Sequence, residues 1–136
     1  LVGSEMCIRD SFKAGKSKYD GESLKKLLTD ESRLIFVAAD ENDRVLGYIF
    51  CIIIDHSADS ARCPNTELYI DDLCVDENFR REGIGDALFQ KALSTAQELG
   101  CHNLTLNVWE GNDSALRFYE KHGMKIQKRE LEIVLD

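Results

Sequence analysis

A short apolar run, Leu73-Cys74-Val75, leads within five residues into Arg80-Arg81-Glu82-Gly83-Ile84-Gly85, and this passage constrains the fold more than any other in the chain. Apolar residues, then glycines, then a helical apolar period describe a strand that turns tightly into a helix. Gly83 and Gly85 have no Cβ, so unusual dihedrals are tolerated and a ligand can approach the backbone closely. The start of the helix leaves N–H groups without intrahelical partners and carries a partial positive charge. With Arg80 and Arg81 on its entry side, the turn suits a phosphate or pyrophosphate.

Spacing separates the ligand classes that use such turns. A dinucleotide-binding turn needs a third glycine or alanine three residues after Gly85, where Leu88 stands. A nucleotide triphosphate loop needs Gly-Lys-Ser/Thr at the helix start, where Gly85 is followed by Asp86. Gly15-Lys16-Ser17 has that tail, but the glycine required five positions earlier is Asp10. What remains, Arg-x-x-Gly-x-Gly at Arg80–Gly85, resembles the acyl-CoA-binding turn of the GNAT N-acyltransferase superfamily. A second block, Asn112-Asp113-Ser114-Ala115-Leu116-Arg117-Phe118-Tyr119-Glu120-Lys121-His122-Gly123-Met124, resembles the Asn-x-x-Ala-x-x-Phe-Tyr-x-x-x-Gly-Phe block of the same superfamily. Asn112 is a good N-cap and Gly123 a good C-terminal stop. At about 100° per residue, Asn112, Ala115 and Tyr119 share one helix face. Tyr119 alone would equally suit a half-buried core position with a wet hydroxyl.

At 136 residues and 43% hydrophobic content, the chain supports one domain with a core of its own. Its net charge of −8 argues against a general binder of nucleic acids or anionic membranes and leaves room for a cationic substrate. No apolar run approaches the ~20 residues of a membrane span, and no secretory leader is visible. The five cysteines, Cys7, Cys51, Cys63, Cys74 and Cys101, have neither Cys-x-x-Cys nor finger-like spacing, so no metal site is expected. Cys51 and Cys74 read as buried thiols inside apolar strands. The odd count without a framework points to a reducing cytoplasm.

Residues 1–10, Leu1-Val2-Gly3-Ser4-Glu5-Met6-Cys7-Ile8-Arg9-Asp10, match a transposase-type sequencing adapter translated in one frame. They are therefore set aside from the fold argument, and 11–136 is read as a single domain whose natural start lies upstream. From residue 11 the pattern predicts a polar connection over 11–19 and a short helix over 21–28. Strands follow over 33–39 and 45–54, joined by a turn at Glu41-Asn42-Asp43. A loop over 55–65 precedes a strand over 66–75. The long helix covers 83–99, with Ile84, Leu88, Ala92, Thr95, Ala96 and Leu99 facing inward and Gly100 as its stop. A strand over 103–109, the Asn112 helix and closing strands over 124–127 and 131–135 complete the chain.

This order resembles the GNAT fold from its second helix onward, an α/β class with a mixed, mostly antiparallel sheet and one splayed parallel strand pair. The first strand and helix of the family have no counterpart. The resemblance implies acetyl-CoA as cosubstrate and no metal. It places pantetheine along the backbone of Leu73, Cys74 and Val75 and the pyrophosphate on Arg80, Arg81, Glu82, Gly83, Ile84 and Gly85. Asn112 and Tyr119 belong to the same cofactor site. A tyrosine (pKa about 10) stays protonated at neutral pH and can protonate a thiolate (thiol pKa about 8.5) as it leaves. By resemblance that acid is Tyr119, and a backbone N–H near Val75 serves the oxyanion.

For the base the strand alternation puts Glu67, Tyr69 and Asp71 on one face and Asp72 on the other. Tyr69-Ile70-Asp71-Asp72-Leu73 resembles the Tyr-Leu-Glu-Asp-Phe stretch of diamine acetyltransferases, where an acidic residue handles the amine through water. Asp71 and Asp72 both remain candidates. The acceptor is expected to be a small cationic amine, with a protein or peptide amine as the rival. A non-catalytic acyl-CoA-binding or interaction module is the alternative from another class, and a homodimer is left open.

Overall fold

The computed structural model describes residues 31–56 and 65–135; the expected helix over 21–28 and most of the 55–65 loop lie outside them. Four strands form one sheet in the order β1-β2-β3-β4: β1 Arg33–Ala39, β2 Val45–Asp55, β3 Thr66–Val75 and β4 Asn103–Leu106. Two helices are described, α1 Ile84–Glu98 between β3 and β4 and α2 Asp113–Lys121 after β4. The β1-β2 and β2-β3 pairs are antiparallel, and β3-β4 is parallel across the α1 connection. This is the mixed sheet with one parallel pair that the sequence led us to expect.

The hairpin turn between β1 and β2 is built by Asp40. Its carboxylate accepts from the N–H groups of Asn42 (2.8 Å) and Arg44 (3.0 Å), while Asp43 takes a left-handed φ of 61°. Asp is among the few non-glycine residues suited to that conformation.

Sheet register sorts the side chains into two faces. Ile49, Cys51 and Ile53 of β2 and Leu68, Ile70, Leu73 and Val75 of β3 pack with Leu88, Phe89, Ala92 and Ala96 of α1 to make the main core. Tyr48, Phe50 and Cys74 form a second buried cluster on the opposite face, joined by Ile35. Leu99, expected on the inner face of α1, is half exposed, because the helix ends at Glu98 and the chain leaves the core there. The stop is a left-handed Gly100 (φ 71°). The Gly100 N–H donates to the Gln97 carbonyl and the Cys101 N–H to the Ala96 carbonyl, a Schellman closure. Gly123 closes α2 in the same manner, with its N–H on Glu120 and that of Met124 on Tyr119.

One irregularity changes the reading of the acidic pair. Ile70 pairs with Cys51 and Asp72 with Phe50, so Asp71 is an extra residue that bulges out of the β2-β3 ladder. The alternation is reset there. Asp72 shares the face of Glu67 and Tyr69, the reverse of what uninterrupted alternation predicts.

Two other expectations are corrected. β4 stops at Leu106 rather than at residue 109, because its ladder with β3 ends at the Ile70–Leu106 pair. The closing strands over 124–127 and 131–135 are not formed; these residues carry no regular structure, and Leu131, Ile133 and Leu135 are 86–91% exposed. Alternating apolar residues make a strand only when a neighbouring strand supplies the ladder, and no described strand lies alongside them.

Gly47, on the core face of β2, fixes how closely the layers meet. A Cβ there would stand 2.6 Å from the Cys74 carbonyl oxygen, 3.2 Å from Leu88 Cδ1 and 3.3 Å from Ile84 Cγ2. The first turns of α1 are thus seated against a strand position that only glycine fits.

Candidate active site

The glycine turn is anchored from the strand side. The Asp76 N–H donates to the Leu46 carbonyl (2.8 Å), and its carboxylate caps the short 3-10 turn Glu77–Phe79 by accepting from the Asn78 N–H (2.9 Å). The Arg44 guanidinium lies 4.0 Å from that carboxylate and 5.0 Å above the centroid of the Phe79 ring. The chain then takes left-handed conformations at Arg81 (φ 70°) and Gly83 (φ 79°) before α1 begins. For an arginine this conformation costs roughly 1–2 kcal/mol. Strain of this kind clusters at ligand-binding turns.

Nothing lies within 4 Å of a Cβ built on Gly83, whereas one on Gly85 would touch the Phe118 ring at 3.4 Å and Val75 Cγ2 at 3.7 Å. The two glycines therefore differ. Gly83 serves the backbone turn and an open side, while Gly85 lets Phe118 of α2 close on the helix start.

Beyond the Ile70–Leu106 pair, β3 continues to Val75 while β4 does not accompany it. Leu73, Cys74 and Val75, expected along the cofactor arm, are the last three residues of that continuation. Leu73 and Val75 face the main core and Cys74 the opposite cluster. Cys74 is disulfide-bonded rather than the buried thiol expected, so it gives no support to a reducing compartment; Cys51 and Cys101 are free. Burial, and secondarily Asp71, pushes the Cys51 thiol up to about 12, which leaves it inert as a nucleophile at neutral pH.

Tyr119 sits in an aromatic group with Phe118 (centroids 5.2 Å, edge-on) and Phe89 (6.1 Å). Burial first, then the Asp72 charge, raises its phenol to about 12. The bulge places Asp72 on the face opposite the main core, and its charge still bears on Tyr119. Asp72 also accepts a long hydrogen bond from the Tyr48 hydroxyl (3.4 Å). Asp71, the other candidate, bears instead on Cys51 and Tyr69. Asn112 caps α2 through Oδ1, accepting from the Ala115 N–H (3.3 Å) and from Ser114 Oγ (3.4 Å). Its cap role is thereby visible.

Sequence reasoning overlooked a polar file on the face that carries Asp72. Glu67 holds His56 Nε2 at 2.5 Å with one carboxylate oxygen and accepts from the Thr105 hydroxyl with the other. Asn107 donates to the Tyr69 hydroxyl (3.2 Å). Burial, followed by the charge of Asp71, raises the Tyr69 phenol. The signal available was the shared parity of Glu67 and Tyr69 on β3; His56 and Thr105 lie on other elements and leave no local pattern. His122 was also overlooked. Its ring stacks on Phe89 (4.6 Å), and Nε2 lies 2.6 Å from Asp86 Oδ1.

A strand-turn-helix with an open glycine turn, a parallel pair that parts company, and a half-buried tyrosine packed against the same core describe an acyltransferase-type α/β domain. Residues 6–124 match the acetyltransferase (GNAT) family, and the chain belongs to that family. YwnH of Bacillus subtilis, provisionally named a phosphinothricin acetyltransferase, is 33% identical over 93 residues, 68% of this chain and 54% of its own length. The peptidyl-lysine N-acetyltransferase YjaB of Escherichia coli is 30% identical over 118 residues, 87% of this chain and 67% of its own. The X-ray structure of a tetramutant of the BH1408 protein from Bacillus halodurans superposes with a TM-score of 0.83 at 27% identity, covering 93% of this chain and 81% of that one. The chain thus spans little more than half of the first of these relatives. Among the described residues, no helix is long and apolar enough to cross a membrane.

Proposed function

We propose that this chain transfers an acetyl group from acetyl-CoA to a primary amine, with a small cationic amine as acceptor. The observation that carries the reading is the open Gly83 turn into α1 beside the stretch where β3 outruns β4, with Tyr119 packed against the same core. Acetyl-CoA, when bound, supplies the acyl carbon and a thiolate leaving group. The N–H groups that open α1, with Arg80 and Arg81, take the pyrophosphate, and the β3 backbone at Leu73, Cys74 and Val75 takes the pantetheine arm. Tyr119 keeps its proton far above neutral pH and gives it to the departing sulfur. Asp72 takes a proton from the substrate ammonium through water, leaving the neutral amine to attack, since a carboxylate near pKa 4 is a poor direct base for a group near 10. Asp71, on the bulge, is the weaker candidate because its charge bears on Cys51 and Tyr69 rather than on Tyr119.

Carboxylates along this face attract an ammonium and repel an acidic acceptor, an effect that salt weakens. Catalytic efficiency is expected to favour a diamine or lysine-like amine over a matched amine bearing a carboxylate. Asp72→Asn should lower kcat/KM for the cationic member roughly tenfold, about 1.4 kcal/mol, and Asp71→Asn less. A wild-type preference for the anionic member would reject the reading of the acceptor. A lysine side chain within a peptide is the rival acceptor, favoured by the name of the Escherichia coli relative; a panel of free amines and lysyl peptides separates the two. If no amine is acetylated although acetyl-CoA binds, the chain is a binding module.

Gly83 tests the cofactor turn. With φ at 79°, any side chain is strained there, yet a Cβ would meet no protein atom within 4 Å. Gly83→Val should therefore leave a folded protein and cut acetyl-CoA affinity at least about tenfold. Calorimetry showing unchanged affinity in the folded variant would remove the turn from the cofactor site.

A further inference from the structure

Asp86 occupies the third position of α1 after its N-cap, Gly83. A carboxylate at that position ordinarily reaches back to the N-cap N–H and closes its own helix, as in a capping box. Here it does not. Its hydrogen-bond partner is His122 Nε2 at 2.6 Å, on the residue that ends α2. The imidazole is held for this contact by stacking on Phe89 (centroids 4.6 Å, planes 27° apart) and by the edge of Phe118 (4.7 Å). The His122 side chain is only 10% exposed, against 45% for Asp86. A carboxylate in the first turn is favourable to an empty helix but competes with any anion for the same N–H groups and repels it.

We propose that His122 is a positioning residue for cofactor binding: it draws the Asp86 carboxylate sideways onto α2, so that the N-terminus of α1 is left for the pyrophosphate. The inference rests on the cofactor site proposed above. It assigns no proton transfer to His122; the imidazole acts only through Asp86.

The test is coenzyme A binding by calorimetry, with melting temperature and circular dichroism recorded for each protein. His122→Phe keeps a ring against Phe89 and Phe118 and removes the nitrogen, so Asp86 is released; the dissociation constant should rise about tenfold. His122→Phe with Asp86→Asn has no carboxylate to compete and should return to within about threefold of wild type. Asp86→Asn alone should bind no more weakly than wild type, which keeps the idea testable even where the phenylalanine variant does not fold. Two results overturn it: His122→Phe binding as wild type does, or a double variant as weak as the single one, which would make the contact a simple tie between helices. Wild-type protein that takes up no coenzyme A would overturn the cofactor site itself, and this proposal with it.

Discussion

Tyr119→Phe is expected to lower kcat by roughly 10²-fold, the low end for loss of a general acid, with the KM for acetyl-CoA little changed. The substitution keeps the ring among Phe89 and Phe118 and removes one hydroxyl, so packing alone predicts no such loss. With its phenol raised to about 12, chiefly by burial, Tyr119 is a donor at every working pH. The wild-type rate should therefore show no alkaline decline attributable to this residue below pH ~11, whereas a donor at the ordinary value of about 10 would begin to fail near pH 9. The same shift has a stability consequence. A folded pKa above the unfolded value means the contribution of Tyr119 is fully present below pH ~10 and is lost as pH rises toward about 12, where the unfolded chain gains by ionising first. Melting temperature followed from pH 8 to 11.5 in wild type and Tyr119→Phe checks the sign; the wild-type curve should fall relative to the variant's at the alkaline end. Equal turnover of both proteins across the pH range would mean that another group protonates the sulfur, or that the thiolate leaves unaided.

Much of this arrangement was legible in the residues, for local reasons. The bounds of β1 and β3 follow from runs of apolar and β-branched residues between turn formers. Gly100 and Gly123 end their helices because only glycine accepts left-handed backbone cheaply, a property of the residue itself. Asn112 caps α2 for an equally local reason. What failed was non-local. The Asp71 bulge is decided by where Phe50 and Cys51 fall on the neighbouring strand, and nothing within Tyr69-Ile70-Asp71-Asp72-Leu73 announces it. The His56–Glu67–Thr105 contacts join three separate elements, and the His122–Asp86 contact spans thirty-six positions in sequence. The residues at 131–135 have the right alternation for a strand, but the partner that would realise it is not a property of those five residues.

Gly47→Ala is expected to destabilise the protein by roughly 1–3 kcal/mol and to weaken acetyl-CoA binding beyond what the lost stability explains. The reason is the identity of the atom that a methyl would strike. At 2.6 Å the Cys74 carbonyl oxygen is backbone of the adjoining strand and cannot rotate away, unlike the ends of Leu88 and Ile84 at 3.2 and 3.3 Å. Relief has to come from moving β2 against β3 or from lifting the first turns of α1. Either displaces the cofactor turn, because Ile84 opens α1 immediately after Gly83 and Val75 packs beside Gly85. Gly100→Ala is the matched control. Its φ of 71° makes the alanine strained, yet no atom lies within 4 Å of the added carbon, and the site is at the far end of α1. That variant should lose comparable stability through backbone strain alone while keeping wild-type affinity. Melting temperatures and calorimetric dissociation constants for the pair separate the two effects. If Gly47→Ala melts with the wild type, or binds acetyl-CoA as well as Gly100→Ala does, the approach of β2 to α1 does not set the cofactor turn.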